Sequence, residues 1–236
     1  MTPTVLITGA SRGIGLAVSQ FLLADGAQVF TIQRTATPDL KALVEKYPLK
    51  LRVVQGDCTS DEVIYNAIQE ALHTFGAIDA VVFNAASFSG IGPVADVPLA
   101  DWQRVFDINV FGVVKFLKEL LPVMKDGGKL VFISSAAAEH GTLASGAYSA
   151  SKAALNSINR TVAGEYPNLI CISLHPGVGF TAKAKDVLPE DTLDQLLVGM
   201  LEPEVPGRVI ADVALRAPQS LTGKYLHWND PALASI

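Results

Sequence analysis

Seven short, β-rich apolar runs punctuate this chain, at Val5–Thr8, Gln28–Ile32, Leu51–Val54, Ala80–Asn84, Lys129–Ser134, Ile170–Leu174 and Lys224–Trp228. Most are continuously apolar rather than alternating, the pattern required of strands covered on both faces. Segments of helical period lie between them, near 13–25, 38–47, 60–75, 101–125, 146–165, 189–200 and 204–216. Such alternation leaves right-handed crossovers as the connections. The expected fold is therefore α/β, a doubly wound, mostly seven-stranded parallel sheet flanked by helices on both faces. The segment at 60–75 shows the logic residue by residue. Thr59 and Glu62 have capping-box spacing, Val63, Ala67, Ile68, Ala71, Leu72 and Phe75 form one face, and Gly76 stands where a C-cap belongs.

No internal repeat, low-complexity tract or linker-like stretch divides the 236 residues, so 1–236 reads as one domain. Half of the residues are hydrophobic and 17% are charged, which excludes disorder and supplies a large core. Eighteen Lys+Arg against 23 Asp+Glu give a net charge of −5 with no strongly basic stretch, so no nucleic-acid partner is expected. Two cysteines, Cys58 and Cys171, both read as part of apolar, strand-like runs, provide neither a disulfide framework nor a zinc site, and no metal is expected. No run of about 18 apolar residues is present, so no membrane partner is expected. The first residues lack the pattern of a signal peptide. The expectation is a soluble protein of a reducing, cytoplasmic compartment.

In a doubly wound sheet the ligand binds outside the carboxyl ends of the strands, where strand order reverses. The residues just after each strand therefore carry the functional information. After the first strand comes Thr8-Gly9-Ala10-Ser11-Arg12-Gly13-Ile14-Gly15, running straight into a helical pattern. Glycines there permit a tight turn and close backbone approach to a pyrophosphate, which the helix N-terminus attracts. The spacing differs by one inserted residue from the commoner Rossmann fingerprint. A glycine turn serving only strand–helix packing is the alternative, and the place directly after the first strand favours a dinucleotide. The second strand ends in Gln33-Arg34 instead of an acidic residue. Arg34 with Arg12 suits the 2′-phosphate of NADP(H), since each guanidinium offers a planar donor fork of fixed charge; either arginine alone would read as solvated surface. Asp57 has two candidate roles, accepting from an adenine amino group or capping the helix before Thr59.

In the second half, Tyr148 and Lys152 stand four positions apart on a helical pattern and so share one face. An ammonium beside a phenol favours phenolate, and a tyrosine tuned in this way exchanges a proton with a carbonyl or alcohol oxygen. The pair is common by chance, and its context adds weight. The fifth strand ends in Ser134-Ser135, at the ligand edge, where a hydroxyl either holds a substrate oxygen or satisfies strand-end backbone groups.

Taken together, Thr8–Gly15, Asn84-Ala85-Ala86, Asn109, Ser135, Tyr148-x-x-x-Lys152 and Pro176-Gly177 resemble the ordered motifs of the short-chain dehydrogenase/reductase family, a Rossmann-type fold, from residue 4 to about 230. Ser135 precedes Tyr148 by 13 positions and Asn109 precedes it by 39, as the family pattern expects. The resemblance implies that Ser135 polarises the carbonyl and that Tyr148 is the general acid. Lys152 would lower the tyrosine pKa and hold the nicotinamide ribose. Asn109 would support Lys152 through a water, or else bond to backbone inside its helix. The implied NADP(H) site comprises Gly9, Ser11, Arg12, Gly13, Ile14, Gly15, Arg34, Asp57, Cys58, Asn84, Ala85, Tyr148, Lys152, Pro176, Gly177, Val178 and Thr181. His175 and His140 read as packed or hydrogen-bonded imidazoles, because the acid/base set is complete without them, with His140 facing the substrate as the alternative. Ala86 replaces the family's usual glycine. If that position needed φ > 0, the alanine would cost about 1 kcal/mol, and a slightly shifted loop path is the expectation.

The C-terminal stretch from Val205-Pro206 to Asp230, and the segment from Trp102 to Asn109, resemble the sepiapterin reductase and benzil reductase branch, which reduces vicinal dicarbonyls and related ketones with NADPH. The resulting reading is an NADPH-dependent carbonyl reductase acting on a ketone or diketone. An NAD-linked alcohol dehydrogenase and a non-catalytic dinucleotide-binding regulator are the alternatives. A substrate lid is expected over about 178–203, with Phe88 and Ile91 opposite. Phe180, Val187, Leu188, Leu193, Leu196, Leu197 and Met200 are either its apolar lining or the core face of an ordinary amphipathic helix. Lys183 and Lys185 read as solvated. Helices 101–125 and 146–165 carry more apolar and small residues than one buried face needs, which points to a homodimer or homotetramer.

Overall fold

A computed structural model describes residues 2–179, 200–234 and 236. The apolar runs become β1 (Thr4–Thr8), β2 (Gln28–Gln33), β3 (Leu51–Gln55), β4 (Ala80–Phe83), β5 (Lys129–Ile133), β6 (Ile170–His175) and β9 (Tyr225–His227), which form a single parallel sheet in the order β3-β2-β1-β4-β5-β6-β9. Two short strands, β7 (Val178–Gly179) and β8 (Met200–Leu201), pair with each other. Strand order reverses between β1 and β4, which places the ligand crevice there.

Both faces of the sheet are covered, by α1 (Gly13–Ala24), α2 (Pro38–Lys46) and α7 (Glu204–Arg216) on one side and by α3 (Asp61–Phe75), α5 (Gly112–Leu120) and α6 (Gly146–Glu165) on the other. Continuous apolarity is explained by this sandwich. In β1, Val5 and Ile7 pack into the first core with Leu22 and Ile210, while Leu6 between them packs into the second with Ile68 and Phe116, and all three are fully buried. Each such side chain contributes up to about 2 kcal/mol of transfer free energy.

Several local expectations are corrected. Helix α3 is capped by the Ser60 hydroxyl, which accepts from the Val63 N–H at 3.4 Å. Thr59 does not cap it, because its N–H and hydroxyl are bonded to Asp57 Oδ1 at 2.9 and 2.8 Å. The buried face shifts accordingly: Ile64 joins Ala67, Ile68 and Ala71 inside, while Val63, Leu72 and Phe75 are half-buried. Gly76 does close the helix, at φ 81°. Cys58 lies in the turn beyond β3, not in a strand, whereas Cys171 is in β6.

The helix expected at 101–125 begins earlier, as α4 (Leu99–Phe106), and passes through a wide π turn at Asp107–Phe111 before continuing as α5 to Leu120. A π turn of this kind is a frequent mark of a functional site. Of the helix expected at 189–200, only Met200 is described, and its backbone pairs as a strand; Phe180, Thr181, Lys183, Lys185 and the apolar residues from Val187 to Leu197 lie outside the described residues. No helix among the described residues is long and apolar enough to cross a membrane.

Candidate active site

The glycine loop leaves β1 through Gly9, at φ 74°, whose N–H donates to the Ile32 carbonyl at 2.9 Å. A Cβ at Gly9 would lie 2.9 Å from Ala85 Cα, and one at Gly15 would lie 2.4 Å from the Gly9 carbonyl oxygen and 2.5 Å from Asn84 Nδ2. Neither glycine has room for a side chain. Gly13, at φ 57°, borders open space instead. Helix α1 starts just after Arg12, and the Arg12 side chain makes no capping bond, so no N-cap side chain occupies the first-turn N–H donors. A narrow glycine turn, open space and free helix donors fit a pyrophosphate. Ile14 and Ser11 are half-buried beside it, and the Thr37 hydroxyl donates to the Ser11 carbonyl at 2.5 Å.

Asn84 and Ala85 brace this loop. The Asn84 amide donates to the carbonyls of Thr8 and Gly9 at 3.2 and 2.9 Å, and the Thr8 hydroxyl accepts from the N–H groups of Asn84 and Ala85, both at 3.1 Å. Ala86 is unstrained, because Ala144 is the one non-glycine residue with positive φ among those described. Arg12 and Arg34 are both exposed at this end, and neither forms an ion pair among the described residues. Asp57 does not cap the helix as expected: its Oδ1 closes an Asx turn with Thr59, and Ser60 caps α3. Burial, followed by the Asp57 charge, pushes the Cys58 thiol up to about 11, so it stays neutral.

At the far edge of the candidate site, Lys152 reaches down from α6 and donates from Nζ to the Ile133 carbonyl at 2.7 Å, stapling the helix to the end of β5. Only 3% of Lys152 is exposed, and burial lowers its pKa to about 8. Its Nζ lies 5.6 Å from the centroid of the Tyr148 ring. The lowered phenol expected from an adjacent ammonium is not what the structure shows. Burial raises Tyr148 above its ordinary value, with the Ser135 hydroxyl pulling in the other direction. Desolvation of the phenol is the larger influence on Tyr148, and the Lys152 ammonium makes its own hydrogen bond to Ile133 and not to the phenol oxygen.

Ser135 is extended, and its Oγ accepts from the Ala137 N–H at 3.2 Å, which leaves its own proton available to a ligand. Asn109 sits in the π turn and is buried. Its Oδ1 accepts from the Ser87 N–H at 2.7 Å, and its Nδ2 donates to the Ser87 carbonyl and to Ser151 Oγ, both at 3.0 Å. Ser151 in turn donates to the Tyr148 carbonyl at 2.7 Å. Asn109 therefore does bond to backbone, but to the loop after β4 and not to its own helix.

That loop presents Phe88 edge-on to Tyr148, with ring centroids 4.8 Å apart. His175 is buried against His227, and burial with the neighbouring imidazole lowers it to about 4; His140 is exposed. Pro176 is buried, and Gly177, at φ 86°, has no room for a Cβ beside Leu201 and Trp228. Val178 contributes the backbone of β7, while Thr181 lies outside the described residues.

Three residues of the candidate site escape the sequence reading, Ser87, Ser151 and Tyr225, and Thr8 enters it only as the start of the glycine-loop motif. Ser151 had a findable signal, since it is three positions after Tyr148 on the same helix. Tyr225, whose hydroxyl bonds to Ser135, had none, because 90 residues separate the two.

A family model described as short chain dehydrogenase matches residues 3–191. With that match, the parallel sheet and the site just described, the chain belongs to the short-chain dehydrogenase/reductase family. It is similar to the (S)-benzoin-forming benzil reductase of Saccharomyces cerevisiae, 30% identical over 100% of this chain and 99% of that reductase. Among solved structures it resembles a short-chain dehydrogenase/reductase of the same yeast, with a TM-score of 0.91 and 32% identity over 99% of this chain and 98% of that one. A blue fluorescent protein from a metagenomic library, solved in complex with NADPH, superposes with a TM-score of 0.86 at 28% identity, covering 98% of both chains.

Proposed function

We propose that this protein is an NADPH-dependent carbonyl reductase that converts a ketone or diketone to the alcohol, with Tyr148 as the proton donor. The observation that carries the reading is the convergence of Ser135, Tyr148 and Lys152 at the strand ends beside an open glycine cradle. When bound, the reduced dinucleotide supplies a hydride to the carbonyl carbon. Ser135 donates a hydrogen bond to the carbonyl oxygen and holds it against Tyr148. Negative charge grows on that oxygen, and the phenol proton moves onto it, forming the alcohol O–H and leaving a phenolate that solvent reprotonates. A phenol kept protonated by burial is suited to this direction, and the Lys152 ammonium stabilises the phenolate once formed.

Lys152 would hold the nicotinamide ribose, Arg12 and Arg34 the 2′-phosphate, and Gly9, Gly13 and Gly15 the pyrophosphate. NADPH is supported by the two exposed guanidiniums, the lack of an acidic residue at the end of β2 and the NADPH complex of a structural neighbour. The similarity to benzil reductase supports a vicinal diketone as substrate. A cytoplasmic homodimer or homotetramer completes the proposal, with the half-exposed groove of about 420 Å³ between α5 and α6, lined by Val114, Leu121 and Ile158, as the surface that pairing would cover.

The test is the rate of NADPH and NADH oxidation with an aromatic 1,2-diketone, in the wild type and in Arg34→Ala. NADPH turnover is expected, with the variant losing at least about tenfold in NADPH affinity through one charge-assisted contact and little in NADH affinity. Equal losses for both would contradict the 2′-phosphate assignment, and no oxidation of either across a carbonyl panel would contradict the reductase.

A further inference from the structure

We propose that Tyr225, on the C-terminal strand, is a positioning residue for Ser135: its hydroxyl holds the Ser135 carbonyl and thereby sets where the Ser135 hydroxyl lies beside Tyr148. The inference rests on the reading of Ser135 and Tyr148 as the polarising and proton-donating groups.

The need for such a brace follows from where β5 ends. Its ladder bonds to β6 finish with the Ser134 N–H, which donates to the Leu174 carbonyl at 2.8 Å. Ser135 lies beyond that and is otherwise held by its own tight turn, in which its carbonyl accepts from the Ala138 N–H at 3.0 Å. Tyr225 Oη donates to the same carbonyl at 3.0 Å. Both lone pairs of that oxygen are thus engaged, and one of the bonds comes from a separate, anchored element.

The anchor is firm. β9 pairs Ser173 with Tyr225 and His175 with His227. The carbonyl of Lys224, just before Tyr225, accepts from Ser173 N–H at 3.0 Å and from Asn159 Nδ2 of α6 at 3.1 Å. One three-residue strand is therefore tied both to Ser135 and to the helix carrying Tyr148 and Lys152. Burial and the Glu139 carboxylate hold the Tyr225 phenol far above its ordinary value, so it remains a donor at any working pH.

Tyr225→Phe keeps the ring and removes the donor. The kcat for NADPH-driven reduction of a 1,2-diketone is expected to fall about five- to tenfold, the worth of one hydrogen bond, with the Kd for NADPH unchanged. The alkaline limb of the kcat profile should move to higher pH, because the Ser135 hydroxyl, which lowers Tyr148, is less well placed. The charged and titratable groups around the pair stay in place in the variant: Lys152 of α6 beside the Tyr148 ring, and Glu139 and His227 beside position 225, itself within electrostatic reach of Tyr148. A merely structural role would lower Tm and leave that limb where it is. In a Ser135→Ala background, Tyr225→Phe should cost nothing further in kcat. A wild-type kcat and pH profile, or losses that add in the double variant, overturn the inference.

A readout without turnover separates this from the reductase reading. The ultraviolet titration of Tyr148, taken as the difference between Tyr225→Phe and Tyr225→Phe/Tyr148→Phe, should lie at higher pH than the difference between wild type and Tyr148→Phe. An unshifted titration overturns the positioning role and leaves the reductase standing. A shifted titration in a protein that reduces no carbonyl supports the positioning role and overturns the reductase.

Discussion

At the glycine-loop end of the cleft, the geometry depends on atoms that are left out. A Cβ on Gly15 would sit 2.4 Å from the Gly9 carbonyl, and the donors offered to a ligand are backbone N–H groups of α1 with no capping side chain over them. At the opposite end the features are added side chains, buried or half-buried. Lys152 bonds to Ile133, Asn109 to Ser87 and Ser151, and Tyr225 to Ser135. Gly9 and Gly15 at the first end have no room for an added Cβ, whereas the second end is built from side-chain hydrogen bonds. The difference matches the two tasks proposed for these ends, since a pyrophosphate needs close approach to a helix terminus and proton transfer needs specific groups at specific places.

Substitutions at the two ends should therefore separate binding from chemistry. The largest effect is expected from Tyr148→Phe, which should lower kcat by about 10³-fold while the Kd for NADPH, followed by fluorescence, stays within about twofold. A variant that binds NADPH much more weakly would show the two ends to be coupled. Gly15→Ala should do the reverse. The added methyl group has to displace the Gly9 carbonyl or the Asn84 amide, at about 1–3 kcal/mol, so the Kd for NADPH should rise about tenfold or more and Tm should fall by several degrees. Wild-type affinity in that variant would mean that the loop opens without strain.

A smaller effect concerns acid stability at the catalytic end. His175 has a folded pKa of about 4 against an ordinary 6.5, lowered first by burial and then by His227. Between those values the unfolded chain takes up a proton that the folded protein refuses. The stability is thus complete above about 6.5 and is lost as pH falls towards 4, by up to about 3 kcal/mol. Urea midpoints at pH 7, 5 and 4 should show a shallower decline for His175→Gln than for the wild type, and parallel declines would contradict this.

Much of the fold is legible in the order of residues. The apolar runs at 4–8, 28–33 and 129–133 are buried on both faces, so continuous apolarity suffices to mark them as strands. Glycine-loop and Tyr148–Lys152 spacings are legible for the same reason, since each lies within one local element. The cap of α3 was misread because Asp57 engages Thr59 and leaves the role to Ser60, and no spacing rule ranks those competing hydroxyls. The π turn at 107–111 is equally silent in the sequence, because it accompanies the contact of Asn109 with a loop 22 positions away.

Sequence alone settled what depends on period and on the presence or absence of a side chain: the doubly wound sheet, the glycine cradle, and which tyrosine and lysine share a helix face. Tertiary structure decided how the polar groups are used. Lys152 turns to the Ile133 carbonyl, Asn84 to the loop beneath it and Tyr225 to Ser135, because a donor shielded wholly or partly from water takes the nearest acceptor that folding supplies, and that acceptor belongs to a distant part of the chain.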